Sequence, residues 1–191
     1  MPAEAAPELG RYRLDPAASK FIVQAFAAGL LSAFGHDPKF RVTEFSGEVE
    51  LTPGTFESAA FKLVIKANSL KVINVDGKDR QEIEHTMRNE VLETSKYPEI
   101  VFESHNISLS QITENGYHAR VIGNLTLHGI TQKNVSINGE VTSGAGVLRA
   151  KGECLIKQTE YKIRLVSVAG GTLKIKNEVK CSFDIVMRNI Q

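Results

Sequence analysis

The sequence predicts an all-β protein: one extended antiparallel β-barrel of about eight strands with a single amphipathic helix inserted between two of them. Two patterns carry that expectation. Apolar and polar residues alternate with period two through most of the chain, and one segment instead repeats apolar residues at i, i+4 and i+8. Successive strand side chains point to opposite faces, so period two marks a strand with one dry and one wet face.

The alternation is clearest near the end of the chain. Leu173, Ile175, Asn177, Val179, Cys181, Phe183, Ile185 and Met187 share one parity; Lys174, Lys176, Glu178, Lys180, Ser182, Asp184, Val186 and Arg188 share the other. Read as one strand, this run extends about 50 Å at roughly 3.3 Å per residue. That length favours a tall barrel over a compact sandwich, although the alternation alone fits both. Further strands are expected at Arg13 to Gln24, Phe45 to Leu51, Phe61 to Ala67 and Ile100 to Leu109, then at Tyr117 to Leu127, Val135 to Val141 and Leu148 to Ile156. Turn residues mark the breaks: Pro53-Gly54, Asn115-Gly116, Asn138-Gly139, Gly144-Ala145-Gly146 and Gly170-Gly171. Short connections between one-sided strands imply antiparallel neighbours.

Asp79-Arg80-Gln81-Glu82 has the form of a capping box with Asp79 as N-cap. Ile83, Met87 and Val91 follow on one helical face, and Tyr97-Pro98 closes the segment, because the residue before proline disfavours the α region. Such a helix must lay its apolar face on the barrel, most simply across one open end. Ala25 to Phe34 is apolar on both parities; it is either buried from both sides or a helical turn plugging an end. No repeat and no linker composition divides the chain, so 1–191 reads as one domain, with 1–11 a flexible N-terminal segment.

A chain of 191 residues buries roughly 70% of its unfolded surface, so it needs neither a disulfide framework nor a structural metal. Its 23 Lys and Arg nearly balance 22 Asp and Glu, for a net charge of +1. Nucleic-acid binding calls for a basic excess or stripe. Lys62/Lys66 and Lys174/Lys176/Lys180 are short stripes at period two, which read as wet strand faces, so no nucleic-acid partner is expected. Residues 1–10 hold no apolar h-region, and Phe21 to Phe34, interrupted by Gln24, Gly29 and Ser32, is too short to span a bilayer. No integral membrane segment is expected. As written the chain reads as cytoplasmic, and a periplasmic protein whose leader had been removed would read the same way.

Several stretches together resemble the YceI-like family. They are Tyr12-Arg13-Leu14-Asp15-Pro16-Ala17-Ala18-Ser19, Phe45-Ser46-Gly47 and the Lys78-Asp79-Arg80 helix. Tyr97-Pro98-Glu99-Ile100-Val101-Phe102-Glu103-Ser104 and Gly123-Asn124-Leu125-Thr126-Leu127-His128-Gly129-Ile130-Thr131 complete the set. The likeness runs from Tyr12 to about Met187. It implies an extended lipocalin-like barrel and, for some members, a polyisoprenoid chain in the lumen.

A barrel of about eight strands either fills its interior with side chains or leaves room for one ligand. The resemblance favours an open lumen that holds a long apolar, isoprenoid- or lipid-like molecule for transport, storage or sequestration, without enzymatic activity or a cofactor. By parity the inward candidates are Phe45, Leu63, Ile65, Val121, Leu125, Leu127, Val179, Phe183 and Ile185. Phe26, Leu30, Phe34 and Met87 are candidates for a capped end, and Arg80 for a polar head group at the mouth, unless it is an ordinary surface arginine. Two other readings stay open. One is a metal protein or enzyme built on His36 and Asp37 at the barrel mouth; the other is a solid-core scaffold for interactions, including a homodimer. His36, His85, His105, His118 and His128 show no metal-ligand spacing, and neither do the cysteines. No Gly-x-Ser-x-Gly elbow occurs, and His128, at a strand end before Gly129, reads as structural.

Cys154 and Cys181 share inward parity on the last two strands. A hairpin centred near Leu165 would put Cys154 opposite residue 176 and Cys181 about 17 Å farther along. A disulfide needs Cα atoms within about 7 Å, so two free thiols are expected.

Overall fold

The computed structural model describes residues 10–28, 37–51, 59–171 and 173–190. The N-terminal half forms short strands: β1 (Gly10–Leu14), β2 (Lys20–Gln24), β3 (Ala27–Ala28), β4 (Lys39–Val42), β5 (Phe45–Leu51), β6 (Ala60–Lys66) and β7 (Leu70–Val72). After a helix α1 (Gly77–Thr86) come the long strands β8 (Glu99–Thr113), β9 (Gly116–Leu127), β10 (Ile130–Gly144) and β11 (Val147–Lys157). Two short strands, β12 (Ser167–Val168) and β13 (Leu173–Ile175), precede the last, β14 (Glu178–Asn189).

The main sheet runs β1-β5-β6-β8-β9-β10-β11-β14 and closes where Tyr12, Arg13 and Leu14 pair with Asn189, Arg188 and Met187. The result is a closed, eight-stranded antiparallel barrel. Three of its strand positions are bent. β2 continues β1, β4 leads into β5 and β7 continues β6, so that β2, β4 and β7 extend the wall beside the other half of β14. The expected single strand from Arg13 to Gln24 is therefore two. Pro16 sits at the bend, and Asp15 Oδ1 there accepts the Ala17 and Ala18 N–H groups at 3.1 and 3.3 Å. Gly10 and Arg11 pair with Leu51 and Glu50, so the ordered wall begins inside the expected flexible segment; the rest of that segment lies outside the described residues, as do Pro53 and Gly54.

Two other expectations change. The long C-terminal run breaks at Lys176 and Asn177. The Lys176 N–H donates to the Phe26 carbonyl, and Asn177 bonds Gln158 and Thr159 through its backbone and side chain. Leu173–Ile175 leaves the barrel to form a separate small sheet with β12 and β3. Asn138-Gly139 is no turn but the middle of β10, opposite Gly152. The local reason is space. A Cβ on Gly152 would stand 2.6 Å from Phe183 Cζ and 2.5 Å from the Asn138 carbonyl oxygen, and one on Gly139 would stand 2.6 Å from the Lys151 carbonyl oxygen. Both glycines admit the Phe183 ring and a close strand approach.

The outer faces carry cross-strand charge pairs. Lys62 meets Glu103, Lys66 meets Glu99, Lys180 meets Glu153, and Arg149 makes two 2.7 Å bonds to Asp184. Lys62, Lys66 and Lys180 of the two lysine stripes are thus matched by carboxylates on neighbouring strands. Exposed pairs of this kind contribute little stability individually.

The helix starts earlier than the capping-box reading placed it. Its N-cap is Asp76, whose backbone is extended, and Asp79 lies in the first turn, where a negative charge suits the exposed N–H groups. A π-helical turn at Met87–Val91 prolongs it to 15 residues. Ile83, Met87 and Val91 all face the barrel interior. Two attachments hold the helix there. Glu84, with 12% of its side chain exposed, accepts the Val72 N–H on edge strand β7 at 3.0 Å and also bonds Arg80 and Arg88. Beyond its C-terminal end, Glu93 Oε2 lies 2.6 Å from His128 Nε2, whose Nδ1 lies 3.1 Å from the Tyr161 carbonyl oxygen. His128 and Gly129 both have positive φ at the β9–β10 turn, which fits the right-handed twist of a hairpin. The Tyr97 ring packs against His128, tilted by 59° with ring centroids 4.6 Å apart, so the two most distinctive sequence stretches meet at this corner.

Gly152→Ala should destabilise the protein by about 1–3 kcal/mol, because the new methyl overpacks a backbone-limited contact. Gly144→Ala, where a Cβ meets nothing within 4 Å, is the control in denaturant unfolding. The Glu84 attachment should make stability depend on acid. Burial raises its pKa, but the Val72 N–H and the two arginines outweigh that and hold the carboxyl below its ordinary 4.5. A folded value below the unfolded one adds stability that is full above about pH 4.5 and is lost as pH falls through the lowered folded value. Glu84→Gln should therefore cost about 1–3 kcal/mol at neutral pH and flatten the loss of stability on acidification.

Candidate functional site

Inward side chains from every strand position surround a cavity of about 600 Å³. The period-two pattern makes this wall apolar, because each strand turns its dry face inward while its charges stay outside. Leu63 and Ile65 come from β6, Val121, Leu125 and Leu127 from β9, Val179, Phe183 and Ile185 from β14, and Met87 from the π-helical turn. The structure brings these nine expected residues onto one surface.

Of the other candidates, Phe45, Phe26, Arg80 and Asp37 lie within the described residues but not on this surface. Phe45 points inward and is buried, but Phe21 packs edge-on against it at 5.0 Å between centroids, and Phe21 borders the cavity instead. Phe26 is outside the lining because the chain leaves the barrel there to join the small sheet. Arg80 turns along the helix to Glu84 and also lies outside the lining. Leu30 and Phe34 fall outside the described residues, as does His36. Asp37, the other half of the proposed mouth site, uses Oδ1 to accept the Ala27 N–H at 2.7 Å, which is a loop-ordering role. Among the described residues no three His, Cys, Asp or Glu side chains gather where they could hold a metal.

The parity reading overlooked part of the wall. Phe102 is inward, buried and opposite Leu125, and the alternation through Ile100 and Phe102 carried that signal. Ile107 and Leu109 follow with the other parity because a bulge between Ser104 and Asn106 shifts the register. Phe21 and Phe40 also line the wall; Phe21 lies in the expected Arg13 to Gln24 segment, and Lys39-Phe40-Arg41-Val42 alternates with period two over a run of only four residues.

Polar residues border the cavity in few places: Asp79, Glu82 and Thr86 on the helix, Ser136 and Asn138 on β10, Gln158, Lys174, and the cysteines Cys154 and Cys181. Buried Gln158 donates to the Lys176 carbonyl. Burial, with Glu160 and the two cysteines nearby, pushes the Tyr161 phenol up to about 12, so it stays protonated at ordinary pH. The cysteines correct the hairpin expectation: Cys154 pairs directly with Cys181. Residues 158–177 do not fold about one central turn; β12 and β13 take up part of them in the small sheet, which moves the ladder by five positions. Both remain thiols, but not because they are far apart.

The described helices contain none long and apolar enough to cross a membrane. No curated protein matches the chain in sequence. Solved structures do match in fold. The crystal structure of Burkholderia cenocepacia BcnA is 19% identical with a TM-score of 0.67, covering 91% of this chain and 98% of that one. A polyisoprenoid binding domain from Saccharophagus degradans, implicated in plant cell wall breakdown, is 18% identical with a TM-score of 0.69, covering 96% and 100%. A Campylobacter jejuni YceI protein is 15% identical with a TM-score of 0.57, covering 78% and 83%. The family model for the YceI-like domain matches residues 12–187, and the chain, with the barrel, the helix and the Tyr97–His128 corner in place, belongs to the YceI-like family.

Proposed function

We propose that the protein binds one long apolar molecule, isoprenoid- or lipid-like, in its lumen for transport, storage or sequestration, and that it acts as a binding protein and not as an enzyme. The observation that carries this reading is the cavity itself, about 600 Å³ and walled by apolar side chains from all around the barrel. That volume lies within the range of small-molecule sites. Burying about 300 Å² of ligand surface would contribute roughly 7.5 kcal/mol at about 25 cal/mol per Å², from which the cost of ordering a flexible chain is subtracted. Such affinity needs no specific polar contact, in keeping with how few polar groups line the cavity. The likeness in fold to a polyisoprenoid binding domain supports an isoprenoid as the chain in question.

Native mass spectrometry of freshly purified protein tests the proposal directly. The expected result is an added mass that organic solvent extracts as an apolar lipid. A bound metal ion instead would favour the mouth-site reading, and the bare chain mass the scaffold.

Substitution at Leu125 provides an independent check. Leu125→Trp should project into the cavity, displace the ligand and leave the delipidated protein within about 1 kcal/mol of wild type; in a solid core the same change is overpacking and costs about 1–3 kcal/mol or more. Leu125→Ala should cost less than the roughly 2–5 kcal/mol of a solid core, since part of the side chain already borders space. Thr142→Ala, on an exposed outward position, should move stability by no more than about 0.5 kcal/mol. Unfolding of Leu125→Trp, with no lipid carried by any variant, would exclude a ligand in the lumen.

A further inference from the structure

Cys154 and Cys181 face each other directly across the β11–β14 ladder. Both border the cavity, and neither is fully buried. On inward-facing positions the lumen is the side from which a small reagent approaches the two sulfurs.

The ladder also sets their spacing. The Gln158 N–H donates to the Asn177 carbonyl, and the Asn189 N–H donates to the Gly146 carbonyl. The register between these bonds is unbroken from Val147–Arg188 to Lys157–Glu178. Hydrogen-bonded and non-hydrogen-bonded pairs alternate along an antiparallel ladder, which makes Cys154–Cys181 a hydrogen-bonded pair. Opposed Cα atoms in such pairs lie about 5.5 Å apart, inside the window of about 4.4–6.8 Å for a disulfide. Their Cβ atoms are farther apart than in the alternate pairs, so a bond formed there is strained and more easily reduced than an ordinary structural disulfide.

We propose that Cys154 and Cys181 form a modification site: a dithiol in the lumen wall that a low-molecular-weight disulfide converts, reversibly, into a disulfide joining β11 to β14. In the first step the Cys154 thiolate attacks one sulfur of the small disulfide. That S–S bond breaks, a mixed disulfide forms on Cys154 and one small thiolate departs. The Cys181 thiolate then attacks Cys154 Sγ, the mixed bond breaks and the second small thiolate departs. The two protons lost by the cysteines end on the two released small thiols. The protein pair is oxidised by two electrons and the small disulfide is reduced by two.

The order of attack follows from the hydrogen bond between the sulfurs. That bond, given by Cys181, lowers the Cys154 thiol from its ordinary value against the effect of burial. The same bond, together with burial and the charge on Cys154, pushes the Cys181 thiol well up. Since the thiolate is the nucleophile, Cys154 reacts first. Capping its sulfur removes both the bond and the charge that suppress ionisation of Cys181, which is then free to resolve the mixed disulfide. The small disulfide approaches through the lumen, so a ligand there competes with it, and the reaction is tested on protein from which any ligand has been extracted.

The test is exposure of the reduced, full-length protein to oxidised glutathione, followed by intact-mass measurement and peptide mapping. Wild type should end as a single intrachain Cys154–Cys181 disulfide, and a dithiol reductant should restore both thiols without denaturation. Cys181→Ser should stop at a stable glutathione adduct on Cys154, and Cys154→Ser should react more slowly. Two intact thiols in wild type, glutathione adducts with no intrachain bond, or a bond between two chains would each overturn the proposal. The wild-type outcomes decide it alone if a serine variant fails to fold.

Discussion

Backbone pairing of β14 with β11 on one side, and with β1 and β2 on the other, closes the sheet. A sheet with a free edge exposes a row of unpaired N–H and C=O groups, and closure removes that edge while enclosing a volume. Because β14 changes partner from β2 to β1 along its length, the bend at Asp15–Ser19 lies against the middle of the strand. Ser19 Oγ accepts the Val186 N–H there at 2.9 Å, and the Asp15 N–H donates to the Val186 carbonyl. The bend therefore leaves the Val186 backbone paired where neither short strand reaches it.

Closure is incomplete where β7 ends the short-strand extension, and the helix makes good that gap. Glu84 caps an edge N–H with a carboxylate, while Ile83, Met87 and Val91 supply the wall that a ninth strand would otherwise provide. The His128 corner fixes the other end of the segment by linking Glu93, the β9–β10 turn and the Tyr161 carbonyl. A Cβ on Gly129 would stand 2.5 Å from the Tyr97 ring, so glycine serves there both for its positive φ and for the closeness of that ring. The Tyr97 and His128 stretches thus help to hold the helical segment against the barrel.

The lumen that results is a volume of about 600 Å³ walled mostly by apolar side chains, a surface that favours what water rejects. The paired cysteines stand within the barrel's part of that wall, opposed by a ladder register that the hydrophobic pattern does not control.

Period-two alternation determined most of the barrel: β5, β6, the long strands β8 to β11 and β14, and eight cavity residues by parity, while the change of period marked the helix and Met87. These are local facts, since a strand in a one-sided sheet must turn every second residue to the dry side. Tertiary structure alone decided where parity is interrupted and which strands lie opposite one another. The bulge in β8 exchanges the faces of Ile107 and Leu109, Asn138-Gly139 runs through a strand opposite Gly152 where a turn looks natural, and Phe21 covers Phe45. The Cys154–Cys181 pairing shows the division most clearly. Parity put both residues on the inner face, but their register depends on how residues 158–177 cross the end of the barrel. That path is set by pairing with Ala27 and Ala28, more than a hundred residues away in the chain.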